Sequence, residues 1–422
     1  MATGWVAGGL TLVYMVGEKA KSVGPSFVWP GENAGSAWLQ IQANGTCRMF
    51  LPRMEMGQNA NTGLALIVAE ELNIDVLDIE AKYPNTSEMH TLGFTAGSAS
   101  TLLFSRPTAR AAANLREALR SRAADITKLQ LDSILDAKGG FTTVSDQFLA
   151  YSDLLSDEPL ILEGNELLDV PLYTFDPQRE HKQVGRATPP LGIQDLVTGA
   201  PLFTADMSIP DVLFGRAIKP PVRNAHINSV DFSRAKSIPG MVKLVHENDF
   251  VGVVCETPGS LDLAVRAVTV DWKLQQPINQ EAIDKMLDVD EALSEGDLEH
   301  TLEDQSHRSS APWDIDLRYE IQLQTHAMQE PRSAIARFSS IDGKESLEIW
   351  TGTQDAWAIK RHSAIDIGLS EDQVIVHPMR MGGGFGGREH YDVEKDAVRL
   401  ARAAGRPVKA QWTREDEFAT SR

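Results

Sequence analysis

The sequence predicts an α+β fold divided into several domains, each built from helices and mixed sheets. Three observations support this prediction. The 422 residues exceed the ~100–200 residues usual for one domain. Hydrophobic residues at 42% and charged residues at 23% are typical of a globular protein. Strand-like and helical runs alternate along the chain, and no period of about 20–50 residues repeats, which excludes solenoids and propellers.

The first domain is predicted over residues 36–184 and begins with a hairpin. Its strands, Ala37–Gln42 and Thr46–Leu51, are joined by Asn44-Gly45, which suits a tight turn because both residues tolerate positive φ. The pattern then predicts a helix with Leu64, Val68 and Leu72 on one face, a strand over Val76–Ala81, a loop over Thr95–Ser100, a helix from Pro107 through Ala112, Leu115 and Leu119, and further strands and helices up to about Leu172.

Short strands and Pro/Gly turns from Gly185 onward mark a second domain, residues 185–280, with a compact α/β pattern. Residues 281–305 contain ten acidic side chains and are interpreted as a solvated linker. A third domain follows over residues 306–422. The elements predicted in these two domains are strands at Met241–His246, Phe250–Cys255, Val268–Trp272, Ile315–Ile321, Ser333–Arg337, Leu347–Thr351, Val374–His377 and Val408–Trp412, with helices at Leu261–Ala267, Ala358–Ile367 and Asp392–Ala404.

Charge and cysteine content limit the possible partners. The formal net charge of −19 repels phosphates, so no nucleic acid partner is expected. Any anionic ligand must therefore bind at a site whose local groups offset the negative charge of the surface. Cys47 and Cys255 provide too few thiolates for an iron–sulfur cluster or a structural zinc site within this chain.

Residues 1–35 form an apolar N-terminal segment. Its core, Gly4–Val16, is too short to cross a hydrocarbon layer of about 30 Å, which needs about twenty residues. No basic region or twin arginine precedes Trp5, as a signal peptide would require. A targeting or anchor remnant and a plain buried segment both stay open. The localisation is therefore undecided, with the periplasm or a membrane surface favoured over the cytoplasm.

The most distinctive motif is the glycine loop, Met381–Glu389, which lies between the strand at Val374 and the helix near Asp392. Five glycines in six positions let the backbone approach a ligand closely and direct several N–H groups at it, which suits an oxyanion or a cofactor edge. The alternative is a flexible turn. No Gly-Lys-Ser/Thr follows, so the loop is no P-loop, and an aromatic residue interrupts the glycines, unlike a dinucleotide fingerprint.

At this loop the sequence resembles the molybdenum-cofactor subunit of the xanthine dehydrogenase/aldehyde oxidase family, and within it the isoquinoline 1-oxidoreductase β-subunits. Segments 353–389 and 407–418 are similar to the family's first cofactor-binding domain, 197–254 to its small α/β hammerhead domain, and 54–74 with 95–100 to a pterin-binding segment. The implied fold consists of molybdopterin-binding domains of mixed sheets and helices plus a hammerhead domain at 185–280.

The resemblance implies a molybdenum hydroxylase, an oxidoreductase that hydroxylates an electron-poor carbon of an N-heteroaromatic or aldehyde substrate with water as the oxygen source. The implied cofactor is molybdopterin cytosine dinucleotide. Electrons would pass to a separate [2Fe–2S] small subunit. The implied cofactor contacts are Gly383, Gly384, Phe385, Gly386, Gly387, Arg388, Gln58, Thr95, Gly97, Ser98 and Ser100, and no residue is assigned as a metal ligand.

Three residues have implied catalytic roles. Phe385 would offer its ring to a flat substrate, and the backbone at the Phe385-Gly386 step would bond an oxo group. Glu389 matches a substrate-facing carboxylate, with a helix N-terminal carboxylate as the alternative. Gln324 matches a glutamine whose amide bonds a molybdenum oxygen, and its close competitors are Gln322 and Gln329.

Three further positions have other interpretations. His326 is interpreted as a buried histidine and Glu330 as a strand terminus. Asn59 departs from the family pattern, which has glycine there, although asparagine tolerates the αL conformation.

The family's general base, a glutamate in a Gly-x-Gly-Glu context, has no counterpart in this sequence. The nearest segment by composition, Ser294–Asp297, does not resemble it. The resemblance therefore implies a second large-subunit chain that carries the catalytic glutamate, so that this chain acts only within a complex. The alternative is a non-catalytic scaffold or assembly subunit that retains the family fold, which the change at Asn59 and the missing base favour. A serine hydrolase is excluded because no Gly-x-Ser-x-Gly motif occurs.

Overall fold

The computed structural model describes residues 10–12, 38–88, 94–155, 161–162, 169–222, 225–274, 279–288, 290–291, 317, 319–341 and 343–420. Most of the apolar segment at 1–35 and the second part of the acidic stretch, including Ser294–Asp297, lie outside the described residues. The helices are α1 (Ala60–Leu72), α2 (Ser100–Thr127), α3 (Ile193–Thr198), α4 (Pro258–Ala267), α5 (Gln280–Met286), α6 (Ala356–Ile367), α7 (Val393–Ala404) and α8 (Arg414–Thr420). Within the described ranges, none of them has the length and apolar character that a membrane span requires.

The strands of the described residues form four sheets, which together with the helices confirm the predicted α+β class. The strands are β1 (Leu10–Leu12), β2 (Trp38–Ile41), β3 (Cys47–Phe50), β4 (Ile79–Lys82), β5 (Ile134–Ala137), β6 (Gly140–Thr143), β7 (Phe148–Ala150), β8 (Ile161–Leu162), β9 (Leu213–Ala217), β10 (His226–Asp231), β11 (Met241–Glu247), β12 (Phe250–Cys255), β13 (Thr269–Lys273), β14 (Ser333–Ile341), β15 (Lys344–Thr351), β16 (Val374–Pro378) and β17 (Val408–Gln411).

The first sheet has the order β4-β3-β2-β1-β8 and contains the predicted hairpin. Strands β2 and β3 pair antiparallel across a turn in which Gly45 has φ 83°. Helix α1 packs beside α2 and buries Leu64, Val68 and Leu72, the face that the sequence predicted. This packing places the loop between β3 and α1, residues 51–59, at one end of the sheet.

The largest sheet has seven strands in the order β11-β12-β9-β17-β14-β15-β16. It joins strands from 185–280 to strands from 306–422 through the parallel pair β9 and β17. Helix α7 packs across β9, β12 and β14, and its Leu400 reaches Gly215 and Gly252, where an added Cβ would lie 2.9 and 2.5 Å from the leucine methyls. These two glycines therefore permit α7 to lie close to the sheet.

The smaller sheets are a three-stranded meander, β5-β6-β7, and an antiparallel ribbon of β10 and β13. The meander packs against the C-terminal half of α2, where the edge of the Phe141 ring meets Tyr151 at 5.4 Å between centroids. The ribbon belongs to the α/β pattern predicted for residues 185–280.

The predicted start of the second long helix is wrong. Helix α2 begins at Ser100, and Pro107 lies inside it. The sequence prediction treated Pro107 as the first helical residue, but the turns before it are anchored by Phe104, which is buried beneath the guanidinium of Arg53 at 4.2 Å. Proline is tolerated there because tertiary packing outweighs the lost backbone hydrogen bond.

Three other predicted elements differ from the structure. Residues 76–78 form a 3₁₀ turn, because the Asp75 side chain accepts a hydrogen bond from Leu77 N, and the strand starts only at Ile79. Helix α5 occupies the start of the acidic stretch, capped by Asn279, whose side chain accepts from Ala282 N. The described part of the strand predicted at 315–321 pairs with no described strand.

Candidate functional site

The glycine loop connects β16 to α7 at the edge of the seven-stranded sheet, as predicted. Its backbone has positive φ at Gly383 (99°), Phe385 (56°) and Gly386 (98°). Glycine adopts this region freely, but a non-glycine residue in αL costs about 1–2 kcal/mol. The strained residue, Phe385, is also the exposed one, with 71% of its surface accessible. Backbone strain at an exposed aromatic residue is typical of a functional position.

The side chain that holds this loop is Gln354, which the sequence analysis did not identify. Its Oε1 accepts hydrogen bonds from Gly386 N at 3.0 Å and Arg388 N at 3.3 Å, while its Nε2 donates to Thr95 O at 2.9 Å. Gln354 is 2% exposed. The available sequence signal was a polar pair, Gln354 followed by the helix-capping Asp355, three residues after the end of β15.

Arg388 faces the protein interior and supports the loop. Its guanidinium donates to Gly352 O at 3.2 Å, Glu330 O at 2.6 Å and Glu330 Oε2 at 3.0 Å. The same Glu330 oxygen accepts from Gly382 N at 2.8 Å. Burial lowers the pKa of Arg388 and raises the pKa of Glu330, and each group's opposite charge opposes the shift of the other. The interpretation of Glu330 as a strand terminus is therefore incomplete. Its carboxylate hydrogen-bonds Gly382 at the start of the glycine loop and Arg388 near the end of the loop.

A second buried arginine closes the base of the loop. The Arg332 Nη1 donates to Gly387 O at 2.7 Å and to Asp392 Oδ2 at 3.0 Å, and its Nη2 lies 3.1 Å from Glu417 Oε2. Two arginine–carboxylate systems thus fix the loop from beneath. Breaking such buried pairs by removing one partner is strongly destabilising.

The loop at residues 54–59 lies against the glycine loop. A Cβ on Gly384 would be 2.6 Å from Met56 Sδ, and Met381 N donates to Glu55 O at 3.1 Å. Gln58 is exposed, but its amide bonds its own loop, donating to Met54 O at 2.9 Å and accepting from Met56 N at 2.8 Å. Asn59 has φ 57°, so it adopts the αL conformation expected of the glycine it replaces.

The loop at residues 95–99 reaches the same place from α2. Thr95 is buried, and its Oγ1 accepts from Met54 N at 3.0 Å, so this residue joins the two loops and does not face outward. Gly97 and Ser98 both have positive φ and are exposed, next to Ser100 in the first turn of the 28-residue α2. A helix N-terminus with open backbone donors favours an anion.

The segment around Gln324 and His326 forms another wall. Gly387 packs on His326 and Met328, where a Cβ would lie 3.1 Å from His326 Cγ and 2.9 Å from Met328 Cε. Gln324 is exposed, and so are its competitors Gln322 and Gln329. The structure therefore places this segment beside the glycine loop. It does not distinguish which of the three glutamines has the role implied for Gln324.

Glu389 is half-buried at the end of the glycine loop. Its Oε1 lies 3.4 Å from Gln354 Nε2. Burial raises the pKa of Glu389, and nearby His390 and His326 oppose this shift. Glu389 therefore holds a proton more readily than a surface carboxyl does.

Three consecutive backbone donors of the glycine loop have no partner among the described residues. Gly386 N is occupied by Gln354, whereas the N–H groups of Gly383, Gly384 and Phe385 make no hydrogen bond to any described residue. These donors lie next to an exposed aromatic ring and near the start of α2. The residues present thus suit a pterin with an attached phosphate, bound mainly by backbone groups.

The chain is similar to several known proteins. Residues 4–194 and 283–422 each match a family described as a molybdopterin cofactor-binding domain. A nicotinate dehydrogenase subunit of Pseudomonas putida is 28% identical over 95% of this chain and 34% of its own length. The beta subunit of isoquinoline 1-oxidoreductase from Brevundimonas diminuta is 24% identical over 95% of this chain and 56% of its own length.

Among solved structures, quinoline 2-oxidoreductase from Pseudomonas putida 86 aligns with a TM-score of 0.42 and 18% identity, covering 54% of this chain and 34% of that chain. The chain thus spans about a third of the length of the nicotinate dehydrogenase subunit and somewhat more than half of the length of the isoquinoline 1-oxidoreductase subunit.

Proposed function

Because the chain belongs to the molybdopterin-binding subunits of the xanthine dehydrogenase family, we propose that it forms part of a molybdenum hydroxylase that oxidises an N-heteroaromatic or aldehyde substrate with water as the oxygen source. One observation carries the proposal. Gln354 joins the glycine loop to Thr95, and Thr95 joins both to the 54–59 loop, so three remote segments meet beside the exposed ring of Phe385.

The bound cofactor, proposed to be molybdopterin cytosine dinucleotide, would supply a two-electron oxidation centre. The open N–H groups at 383–385 would hold its pterin side, with Gln58 at the adjacent loop. Gly97, Ser98 and Ser100 would hold its phosphate at the start of α2. Thr95 and Arg388 would act indirectly, since both are buried and support the loops.

Three side chains would act on the substrate. Phe385 would pack its ring on a flat substrate, and Glu389, with its raised pKa, would hydrogen-bond a ring nitrogen or carbonyl. Gln324 would donate one amide hydrogen bond to an oxygen at the reacting centre. The names nicotinate dehydrogenase and isoquinoline 1-oxidoreductase support an N-heteroaromatic ring, and a relative named membrane-bound aldehyde dehydrogenase keeps an aldehyde in the proposal.

The proposal includes two partners, a second large-subunit chain with a Gly-x-Gly-Glu motif and a [2Fe–2S] small subunit. Both curated relatives are named as subunits, and each is longer than the part this chain matches. The described segment before Gln324 also exposes Leu317, Tyr319, Ile321 and Leu323, at 64–86% of their surface. Large apolar side chains this exposed are suited to cover by another chain.

A non-catalytic scaffold subunit is the second candidate. The observation that favours it is Gln58, whose amide is bonded to its own loop. The αL conformation of Asn59 argues against it, because the loop keeps the shape that glycine would give.

Co-expression tests the proposal. The chain would be produced alone, and together with a Gly-x-Gly-Glu chain and an iron–sulfur subunit, then analysed by size-exclusion chromatography, metal analysis and dye reduction with nicotinate, isoquinoline and an aromatic aldehyde. We expect the chain alone to be inactive and poorly soluble or cofactor-free, and the complex to contain molybdenum and iron and to reduce dye. A stable complex without molybdenum would support the scaffold, and a soluble monomer that hydroxylates substrate unaided would refute the need for partners.

A further inference from the structure

The three-stranded meander β5-β6-β7 packs one face against α2 and leaves the other face open. On the inner face Phe141 is fully buried. On the outer face Leu135 pairs with Thr142 and Thr142 pairs with Phe148, so these three side chains form one row across the strands. We call this outer surface the meander face, and it consists of Leu131, Leu135, Thr142, Val144 and Phe148.

The meander face is apolar although it is exposed. Its four large apolar residues each expose between 47% and 66% of their surface: Leu131, Leu135, Val144 and Phe148. An antiparallel sheet with one solvated face usually carries polar side chains on that face. A contiguous apolar patch that departs from this pattern indicates an interaction site.

The meander face lies far from the proposed cofactor site. The meander meets α2 at Arg120, which donates to Ile134 O at 2.6 Å and to Asp136 Oδ1 at 2.6 Å. Arg120 is 20 residues beyond Ser100, the start of α2, where we propose that the cofactor's phosphate binds. At 1.5 Å per helical residue, this separation is about 30 Å. A partner that completes the cofactor site therefore does not cover the meander face by its position alone.

The charges around the meander face are balanced. Apart from Asp136, which pairs with Arg120, the charged residues between positions 128 and 150 are two lysines and two aspartates. All four are exposed, and none forms an ion pair with a described residue: Lys128, Asp132, Lys138 and Asp146. Two copies of a chain with net charge −19 repel each other over most of their surfaces. A locally neutral face that carries both signs can meet its own copy without this penalty.

We propose that the meander face binds a second copy of this chain, in a dimer whose two-fold axis runs along the row of Leu135, Thr142 and Phe148. This axis places each strand opposite its own copy and reverses its direction. Asp132 and Lys138 are each three positions from Leu135, on opposite sides of it. Lys138 of each copy therefore faces Asp132 of the other copy, as an isologous interface requires. The proposal does not rest on the proposed function.

Sedimentation velocity on the purified complex, over about a hundredfold range of concentration, tests the proposal, because a dimer of this kind dissociates on dilution. We expect the mass to double as the concentration rises, with two copies of this chain in the larger species. A complex that contains one copy of the chain throughout this range would overturn the proposal.

Charge reversal tests which residues meet. Lys138→Asp and Asp132→Lys should each raise the dissociation constant of the dimer at least about tenfold, because each puts like charges opposite each other at two symmetric positions. The double variant should return the constant to within about threefold of the parent, because it restores opposite charges across the axis. Both residues are exposed, so neither change disturbs the core. Failure of the double variant to recover would contradict the proposed pairing of the two copies.

Apolar variants test the centre of the interface. Phe148→Ser should raise the dissociation constant at least about tenfold, because each dimer loses two central aromatic side chains. Leu263→Ser is the matched control, since Leu263 is 58% exposed in α4, and should leave the constant unchanged. The melting temperature and the molybdenum content should match the parent in both variants. If Phe148→Ser instead released another subunit and left the doubling of mass intact, a different chain would cover this face and the proposal would be wrong.

Discussion

The Oε1 atom of Gln354 accepts a hydrogen bond from the backbone N–H of Gly386 at 3.0 Å. This contact occupies the Gly386 N–H group. The N–H groups of residues 383–385 are the loop donors without a hydrogen-bond partner among the described residues. The same side chain donates to Thr95 O, which is 259 residues away in the sequence. One buried amide thus sets the relative position of two loops that we propose to bind one cofactor.

Gln354→Leu should lower both stability and molybdenum content. The substitution keeps the volume but leaves Gly386 N, Arg388 N and Thr95 O without their partner, and each such group costs about 1–3 kcal/mol. Urea unfolding and metal analysis of the complex measure the two effects. Gln194→Ala, on the exposed face of α3, is the control and should change neither. Full molybdenum content in Gln354→Leu would show that this residue does not position the loop.

Gly384→Ala and Gly386→Val should both abolish molybdenum content or activity, for different reasons. A Cβ at Gly384 would lie 2.6 Å from Met56 Sδ and 2.7 Å from Gln354 Oε1, whereas Gly386 has space nearby but φ 98°. Gly405→Ala is the matched control, because it has φ 63° and nothing within 4 Å, and should cost only about 1 kcal/mol. Wild-type turnover and metal content in both loop variants would contradict the assignment of the loop.

Arg388→Met should destabilise the fold by about 3–5 kcal/mol, since it leaves Glu330 buried without its cation. The comparison is Arg399→Met, whose pair with Asp366 is partly exposed and should contribute less than about 1 kcal/mol. Denaturant unfolding of the two variants provides the test. Equal effects would mean that Arg388 is not a structural support, and that a direct role toward the cofactor should be reconsidered.

Gln324→Ala should lower kcat of the assembled complex by about 10²–10³-fold with a smaller change in KM, because one donor to a reacting oxygen is lost. Gln322→Ala and Gln329→Ala are the controls, since all three glutamines are exposed in the same segment. Steady-state dye reduction measures the effect. If Gln322→Ala or Gln329→Ala lowered kcat and Gln324→Ala did not, the assignment would move to that residue.

The contribution of Glu394 to the free energy of unfolding should fall as the pH rises. Glu394 lies fully buried in the first turn of α7, where Thr351 Oγ1 donates to it at 2.5 Å, and burial raises the pKa of Glu394 from 4.5 to about 6. Because the folded state binds the proton more tightly than the unfolded state, the contribution of this group to stability is highest below about pH 4.5 and is lost as the pH rises through about 6.

Glu394→Gln should therefore stabilise the protein by about 1–2 kcal/mol at pH 8 and have little effect at pH 4.5. Urea unfolding at the two pH values checks the difference. Glu256→Gln, at an exposed position, should show no such pH dependence. A variant that is less stable than the parent at pH 8 would show that the ionised carboxylate is needed.

Features set by neighbouring residues could be predicted from the sequence. The Asn44-Gly45 hairpin, the buried face of α1 and the position of the glycine loop between a strand and a helix all follow from local backbone preferences and hydrophobic periodicity. The αL conformation at Asn59 agrees with the resemblance, which places a glycine at this position, and with the tolerance of asparagine for αL. The family resemblance, read from motifs in separate parts of the chain, is confirmed by the two domain matches.

Features set by remote contacts were decided only by the tertiary structure. Periodicity could not show that α2 begins at Ser100, because its first turns are stabilised by Phe104 packing under Arg53. Motif spacing could not show that Arg388 faces Glu330 or that Gln354 reaches Thr95, because these partners are far apart in sequence. The sequence by itself determined, through its motifs and the family resemblance, which segments we expect beside a cofactor. The packing of buried polar groups, each needing a partner once water is excluded, decided which side chains support the loop and which backbone donors of the loop stay without a described partner.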